Sequence, residues 1–223
     1  LLHPDRLLEV IRNFIIYDNN VKKICRYKQY FAVKKCMKRI LLQDGADTRN
    51  GVVWHTQGSG KTITMIMLTK MILRESMKLG SSIKRPRFVM VTDRINLDKQ
   101  IRDNFIHTQM SPHRAKTGKG LIELLKEDGN TVITALVNKF EAAVKQEYCN
   151  DSENIFVFID EGHRTQYGKL NIYMNRVLPN AVKIAFTGTP LMQKKPKDDK
   201  RDVMSAKDTY ATFGPLIDKY TLQ

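Results

Sequence analysis

A three-layer α/β domain, with a mostly parallel central sheet and N-terminal helices preceding it, is the fold this sequence predicts. From residue 51 onward, short continuous apolar runs recur, of the kind that suits parallel strands covered on both faces. Stretches with helical spacing separate them, and that alternation builds βαβ units. With 42% hydrophobic and 27% charged residues among 223, the chain can bury one substantial core.

In chain order, Pro4 to Tyr17 places Leu7, Leu8, Ile11, Phe14 and Ile15 on one helical stripe, and Tyr30 to Leu41 repeats the pattern. Both segments are expected to be amphipathic helices. Between Val21 and Ile40 stand eight Lys or Arg residues and no acid. That run is either a nucleic-acid-facing surface or, the reading base rates favour, the solvated side of the second helix. The expected strands are Gly51 to Trp54, Phe88 to Val91, Thr131 to Thr134, Ile155 to Ile159 and Val182 to Phe186. Helices are expected over Lys61 to Ser76, Asn96 to Phe105 and Gly120 to Lys126. After Leu191 the segment Lys194 to Arg201 is too polar to bury and reads as a basic loop, after which Phe213, Leu216 and Ile217 offer apolar surface again.

Composition removes several function classes. No apolar run approaches a bilayer span and no secretory signal opens the chain, so a soluble, cytoplasmic protein is expected. Cys25, Cys36 and Cys149 are odd in number and widely spaced, which argues against a disulfide framework or a zinc site. The net charge of +15 favours polyanion partners, through counterion release from phosphates. The missing initiator Met and the abrupt end at Thr221-Leu222-Gln223 suggest a longer parent polypeptide.

The chemistry is concentrated at strand ends. The first core strand runs into His55-Thr56-Gln57-Gly58-Ser59-Gly60-Lys61-Thr62, followed at once by a helix. Gly58 and Gly60 allow backbone angles that let successive amides curl around phosphate oxygens, and this is the context of a P-loop. Lys61 would reach the β- and γ-phosphates and Thr62 would offer its hydroxyl to Mg²⁺, so ATP and Mg²⁺ are the expected cofactors. The motif departs from the P-loop pattern at its first position, where His55 replaces glycine. Strand Ile155 to Ile159 ends in Asp160-Glu161-Gly162-His163. There Asp160 would hold the metal shell and Glu161 would orient or deprotonate the attacking water, with His163 coupling the site to its neighbours. A third strand ends in Thr187-Gly188-Thr189-Pro190, whose hydroxyls would relay the nucleotide state.

The order and spacing of these three segments resemble superfamily 2 helicases and translocases. Trp54 to Thr62, Val91-Thr92-Asp93-Arg94-Ile95-Asn96-Leu97-Asp98-Lys99-Gln100 and Asp160 to Arg164 are similar to the restriction (R) subunit of type I restriction-modification enzymes, which also carries His at the position of His55. The resemblance implies a RecA-like motor domain over 44–192 and N-terminal helices with an adenine-recognition element over 1–43. It makes 193–223 a basic loop and connector toward a second motor domain. It further implies that Gln29 reads adenine with Tyr27 or Arg26 packing beside it, and that Arg94, Thr134 and Lys139 track the DNA backbone. Double-stranded DNA and separate methylation and specificity subunits are the implied partners, with the nuclease domain preceding residue 1. Two other readings stay open: another superfamily 2 motor such as a chromatin remodeller, and a non-catalytic nucleotide-gated module.

Overall fold

The computed structural model describes residues 3–42, 47–160, 167–190 and 209–221. Helix α1 (Pro4–Asn13) is followed by a hairpin of β1 (Ile15–Asp18) and β2 (Val21–Ile24), then by helix α2 (Tyr27–Ile40) and a short 3₁₀ turn over Asp47–Arg49. Next come β3 (Gly51–His55), α3 (Lys61–Ser76), β4 (Arg87–Thr92), α4 (Ile95–His107), β5 (His113–Arg114) and α5 (Gly118–Lys126). The chain continues through β6 (Val132–Leu136), α6 (Val137–Val144), β7 (Ile155–Asp160), α7 (Tyr167–Val177), β8 (Val182–Thr187), α8 (Thr209–Phe213) and β9 (Leu216–Tyr220). Strands β3 to β9 form one sheet in the order β5-β6-β4-β7-β8-β3-β9, and every neighbouring pair is parallel.

Alternation along the strands divides the interior into two cores. Phe88 and Met90 of β4, Phe156 and Phe158 of β7 and Ile184 and Phe186 of β8 face α2, α3 and α4. Val89, Val157, Ile159 and Ala185 face the opposite way, against α5, α6 and α7. Helices therefore cover both faces, which is the expected three-layer arrangement. The first core is built around aromatic rings: Phe88 stacks on Phe156 at 5.7 Å, and Phe158 meets Phe186 edge-on at 5.9 Å. Such pairs add about 0.5–1.5 kcal/mol each beyond the area they bury. Local signals set some helix boundaries, as where the Thr117 hydroxyl accepts from the Gly120 amide at 2.9 Å and starts α5.

Three expectations are corrected. The helix expected over Pro4 to Tyr17 stops at Asn13, because Asn19 and Asn20 adopt left-handed angles (φ 50° and 64°) that make a tight hairpin turn and pull residues 15–24 into strands. Second, Leu7, Leu8 and Ile11, placed on a core-facing stripe, are about half exposed, and α1 anchors itself through Val10. Third, the residues after Phe213 form a sheet strand. Phe213 and Ile217 pack against the cores as expected, but Leu216 stays 41% exposed, and the buried side chain of β9 is Asp218.

The β3–β9 pair is irregular. Val52 is opposite Leu216 but Val53 is opposite Asp218, so Ile217 is an extra residue bulging from the edge strand. Gly51 makes room for it, since a Cβ there would lie 2.5 Å from Ile217 Cγ1 and 2.8 Å from the Pro215 carbonyl oxygen. Gly51→Ala is expected to cost about 1–3 kcal/mol, the usual penalty for overpacking, and to appear as a lowered urea midpoint. An unchanged midpoint would mean that β9 shifts freely.

Candidate functional site

Because the sheet is parallel, the C-terminal ends of its strands share one edge, where α/β folds form ligand crevices. Asp160 ends β7 opposite Phe186, and Thr187 of β8 lies opposite Trp54 of β3. The Asp160 carboxylate, the Thr187-Gly188 turn and the glycine-rich loop therefore stand side by side on β7, β8 and β3. Asp160 is 8% exposed and Thr187 is fully buried.

The loop between β3 and α3 has the geometry of a phosphate cradle. Gly58 and Gly60 hold φ of +75° and +85°, and a Cβ on Gly58 would meet no atom within 4 Å, so its backbone borders open space. The Ser59 amide donates to the Thr56 carbonyl at 3.2 Å, curling the loop. The buried Ser59 hydroxyl has no hydrogen-bond partner among the described residues, a polar atom suited to a phosphate oxygen. Lys61 opens α3 and is 9% exposed. Its ammonium borders the next strand end, 3.7 Å from where a Gly188 Cβ would stand. The Trp54 indole N–H donates to the Gly188 carbonyl at 3.0 Å, and the Thr187 hydroxyl accepts from the Thr189 amide at 3.2 Å. The segment Thr187-Gly188-Thr189, for which a coupling role was expected, is thus in contact with the loop's own strand.

A cleft of about 340 Å³ lies between this loop and the start of α2, walled by Gly58, Ser59 and Gly60 on one side and Arg26 and Gln29 on the other. Gln29 bridges the two walls: its Oε1 accepts from the Arg26 amide at 2.8 Å, and its Nε2 donates to the Gly60 carbonyl at 3.2 Å. Each half of the amide keeps one further capacity, a lone pair and a hydrogen. Gly60→Ala is expected to break the bridge, because the new Cβ would stand 2.6 Å from Gln29 Nε2 in a left-handed conformation that costs about 1–2 kcal/mol without glycine. Loss of nucleotide binding together with a lowered melting temperature checks this, and retained binding would mean that Gln29 is dispensable to the cleft.

The other residues singled out from the sequence divide clearly. Tyr27 is 58% exposed, lies outside the cleft and packs edge-on against Tyr220 at 6.3 Å. Arg94 caps α4 at the end of β4 with its side chain 61% exposed, and Lys139 is half-buried on α6 after β6. Both stand on the loop's edge of the sheet. Thr134 does not reach the surface: it is 1% exposed inside β6 and its hydroxyl is sealed there, so the expected backbone contact is corrected to an interior position. Glu161, His163 and the basic segment Lys194 to Arg201 lie outside the described residues, as does Arg164. Thr62 is half-buried on the first turn of α3, and Gln57 is exposed.

Sequence reasoning missed Asp218. Its Oδ2 lies 2.7 Å from His55 Nε2 and its Oδ1 accepts from Lys35 Nζ at 2.6 Å. Burial pushes its carboxyl up, but the hydrogen bonds from His55 and Lys35 and the Lys35 charge outweigh this and hold it below the ordinary aspartate range. The available signal was His55 itself, a polar residue at a glycine position that needs a partner once buried.

Residues 28–223 match a family model described as SWI2/SNF2 ATPase. Over its whole length the chain is 33% identical to a putative type I restriction enzyme MjaIXP endonuclease subunit of Methanocaldococcus jannaschii, and 32% identical to the type I restriction enzyme HindI endonuclease subunit of Haemophilus influenzae. It spans 20% and 22% of their lengths, about a fifth. Among solved structures it is similar to a nuclease-deletion mutant of the Type ISP restriction-modification enzyme LlaGI in complex with a DNA substrate mimic (TM-score 0.61, 15% identity, 89% of this chain and 20% of that one). It is also similar to the Sulfolobus solfataricus SWI2/SNF2 ATPase core in complex with dsDNA (TM-score 0.59, 15% identity, 83% of this chain and 35% of that one). These likenesses establish the α/β fold.

Proposed function

Because the chain belongs to the SWI2/SNF2 ATPase family, we propose that it is the ATP-binding half of a double-stranded DNA translocase, within the R subunit of a type I restriction enzyme. The observation that carries the ATP reading is the alignment of the loop 56–60, Asp160 and Thr187-Gly188 on three adjacent strand ends, beside a cleft bounded by Gln29. Similarity along the whole chain to type I endonuclease subunits favours this motor over a chromatin remodeller.

In this reading adenine enters the cleft against Gln29, whose spare amide hydrogen and lone pair match the N7 acceptor and N6 donor of the base. Arg26 packs beside it. The loop amides and the Ser59 hydroxyl hold the phosphates, and Lys61 neutralises charge as it moves onto the leaving oxygen. Thr62 and Asp160 are suited to hold Mg²⁺, which supplies charge neutralisation on the transferring phosphoryl group. Glu161 orients the attacking water, and His163 with Thr187 to Thr189 passes the nucleotide state along the edge to Arg94 and Lys139, which grip DNA phosphates. We place the adenine-facing element in residues 1–43 and the phosphate-handling core in 44–192, completed by β9. A second motor domain, the nuclease domain and the methylation and specificity subunits complete the cytoplasmic enzyme.

Among the described residues no helix is long and apolar enough to cross a membrane. The test is ATP hydrolysis by the full-length protein with its partner subunits, with duplex DNA, with RNA and with neither, beside Glu161→Gln. DNA-stimulated turnover abolished by the substitution is expected. Stimulation by RNA would indicate a different motor, and background turnover with tight ATP binding would indicate a nucleotide-gated module.

A further inference from the structure

We propose that Asp218 is a positioning residue for the nucleotide, holding the phosphate loop through His55 and helix α2 through Lys35, so that the two walls of the cleft keep their spacing. This rests on the ATP-site reading above. The two contacts go to different walls. His55 is the last residue of β3, immediately before the loop, and its ring is fully buried. Lys35 is on α2, six residues beyond Gln29. One carboxylate, 7% exposed, therefore touches both, with one oxygen given to each.

The backbone around Asp218 is built to aim it. Side chains alternate along a strand, and a one-residue slip sends them to the opposite face. The slip at Ile217 changes the pairing of β9 with β3 just before Asp218. Bulges occur next to active sites, where they re-aim a side chain. Gly51 leaves the space that the bulged Ile217 fills. Beyond the bulge β9 again holds both walls: the Tyr220 carbonyl accepts from the Thr56 amide at 3.1 Å, and its ring lies 3.9 Å beneath the Lys28 ammonium of α2.

His55 explains why the loop needs this strand. In the usual pattern the first loop residue is glycine, whereas here an imidazole fills the position. An ionised Asp218 fixes Nε2 as the donor. Nδ1 is buried with no hydrogen-bond partner among the described residues, so the bond to Asp218 is the one polar contact that the described structure gives the ring. Without it, the ring loses the polar contact that ties it to β9.

The test is ADP affinity of the full-length protein, titrated with a fluorescent ADP derivative. The variants are Asp218→Ala, Asp218→Asn, His55→Gln and the His55→Gln/Asp218→Ala pair, with Lys61→Ala as the reference for loss of the phosphate site. Asp218→Ala is expected to weaken ADP on the order of tenfold, the scale of one charge-assisted hydrogen bond. Asp218→Asn keeps an oxygen acceptor for Nε2–H but turns an NH2 group toward Lys35, and is expected to recover part of that loss. The pair is expected to bind no more weakly than Asp218→Ala alone, which a general loss of packing would not produce. Wild-type affinity in Asp218→Ala, or losses that add in the pair, would overturn the proposal. If Asp218→Ala does not fold, His55→Gln and its combination with Asp218→Asn take its place: weakened binding with a combined loss smaller than the sum of the two single losses supports the proposal, and unchanged or additive binding overturns it. Absence of ADP binding by the wild type, or undiminished binding by Lys61→Ala, would instead remove the ATP-site reading and this inference with it.

Discussion

Lys61→Ala is expected to lower DNA-stimulated ATP turnover by a factor on the order of 10²–10³, the scale for removing one preorganised charge-stabilising donor. Lys61 begins α3 with its side chain largely withdrawn from solvent. In such surroundings a charge acts on a neighbouring anion with little screening by water. Arginine should not rescue it, because the planar guanidinium is wider than an ammonium and cannot replace a compact point charge. A coupled assay of steady-state hydrolysis measures this. Turnover above a tenth of wild type in Lys61→Ala would place the phosphates elsewhere, while a normal melting temperature would confirm that the loss is not one of folding.

Phe158→Ala is expected to remove about 3–5 kcal/mol of stability, the cost of emptying a buried phenylalanine site. The ring is fully buried in β7 and touches both Phe88 and Phe186, so its loss leaves a cavity bordered by three strands. Since ordinary domains are stable by only about 5–15 kcal/mol, partial unfolding at working temperature is expected as well. Urea denaturation followed by far-UV circular dichroism measures the change. Leu79→Ala, at a fully exposed residue beyond α3, is the control and should move stability by about 0.5 kcal/mol or less. Equal effects at the two positions would contradict the packing described.

Most of the fold was legible in the sequence because its strands are buried on both faces, and a run such as Ile155 to Ile159 has little other way to be satisfied. The glycine-rich turn between β3 and α3 was legible because Gly58 and Gly60 mark angles that other residues avoid. What escaped was set by pairing rather than pattern. The β1–β2 hairpin carries a helical stripe across its start, and only the Asn19-Asn20 turn betrays it. Strand β9 is short and its register is broken at Ile217, so apolar character alone marks Leu216 and Ile217 for burial, while Asp218 is the residue enclosed. Thr134 was given a surface role by resemblance, yet its place within β6, between β4 and β5, encloses it.

The docking of β9 against β3 also bears on how the protein matures. His55 and Asp218 are 163 positions apart, so the loop's frame depends on one of the most distant pairings in the chain. Contacts of such long span are slow to form because the intervening chain must first be ordered. On the ribosome, at about 5–20 residues per second, roughly 8 to 30 seconds pass between synthesis of the first partner and the second. During that interval the edge of β3 that β9 will cover is unpaired, and an open strand edge invites association with other chains. Competence to hold nucleotide is thus expected to arise late in biogenesis, when residues 216–220 close the sheet.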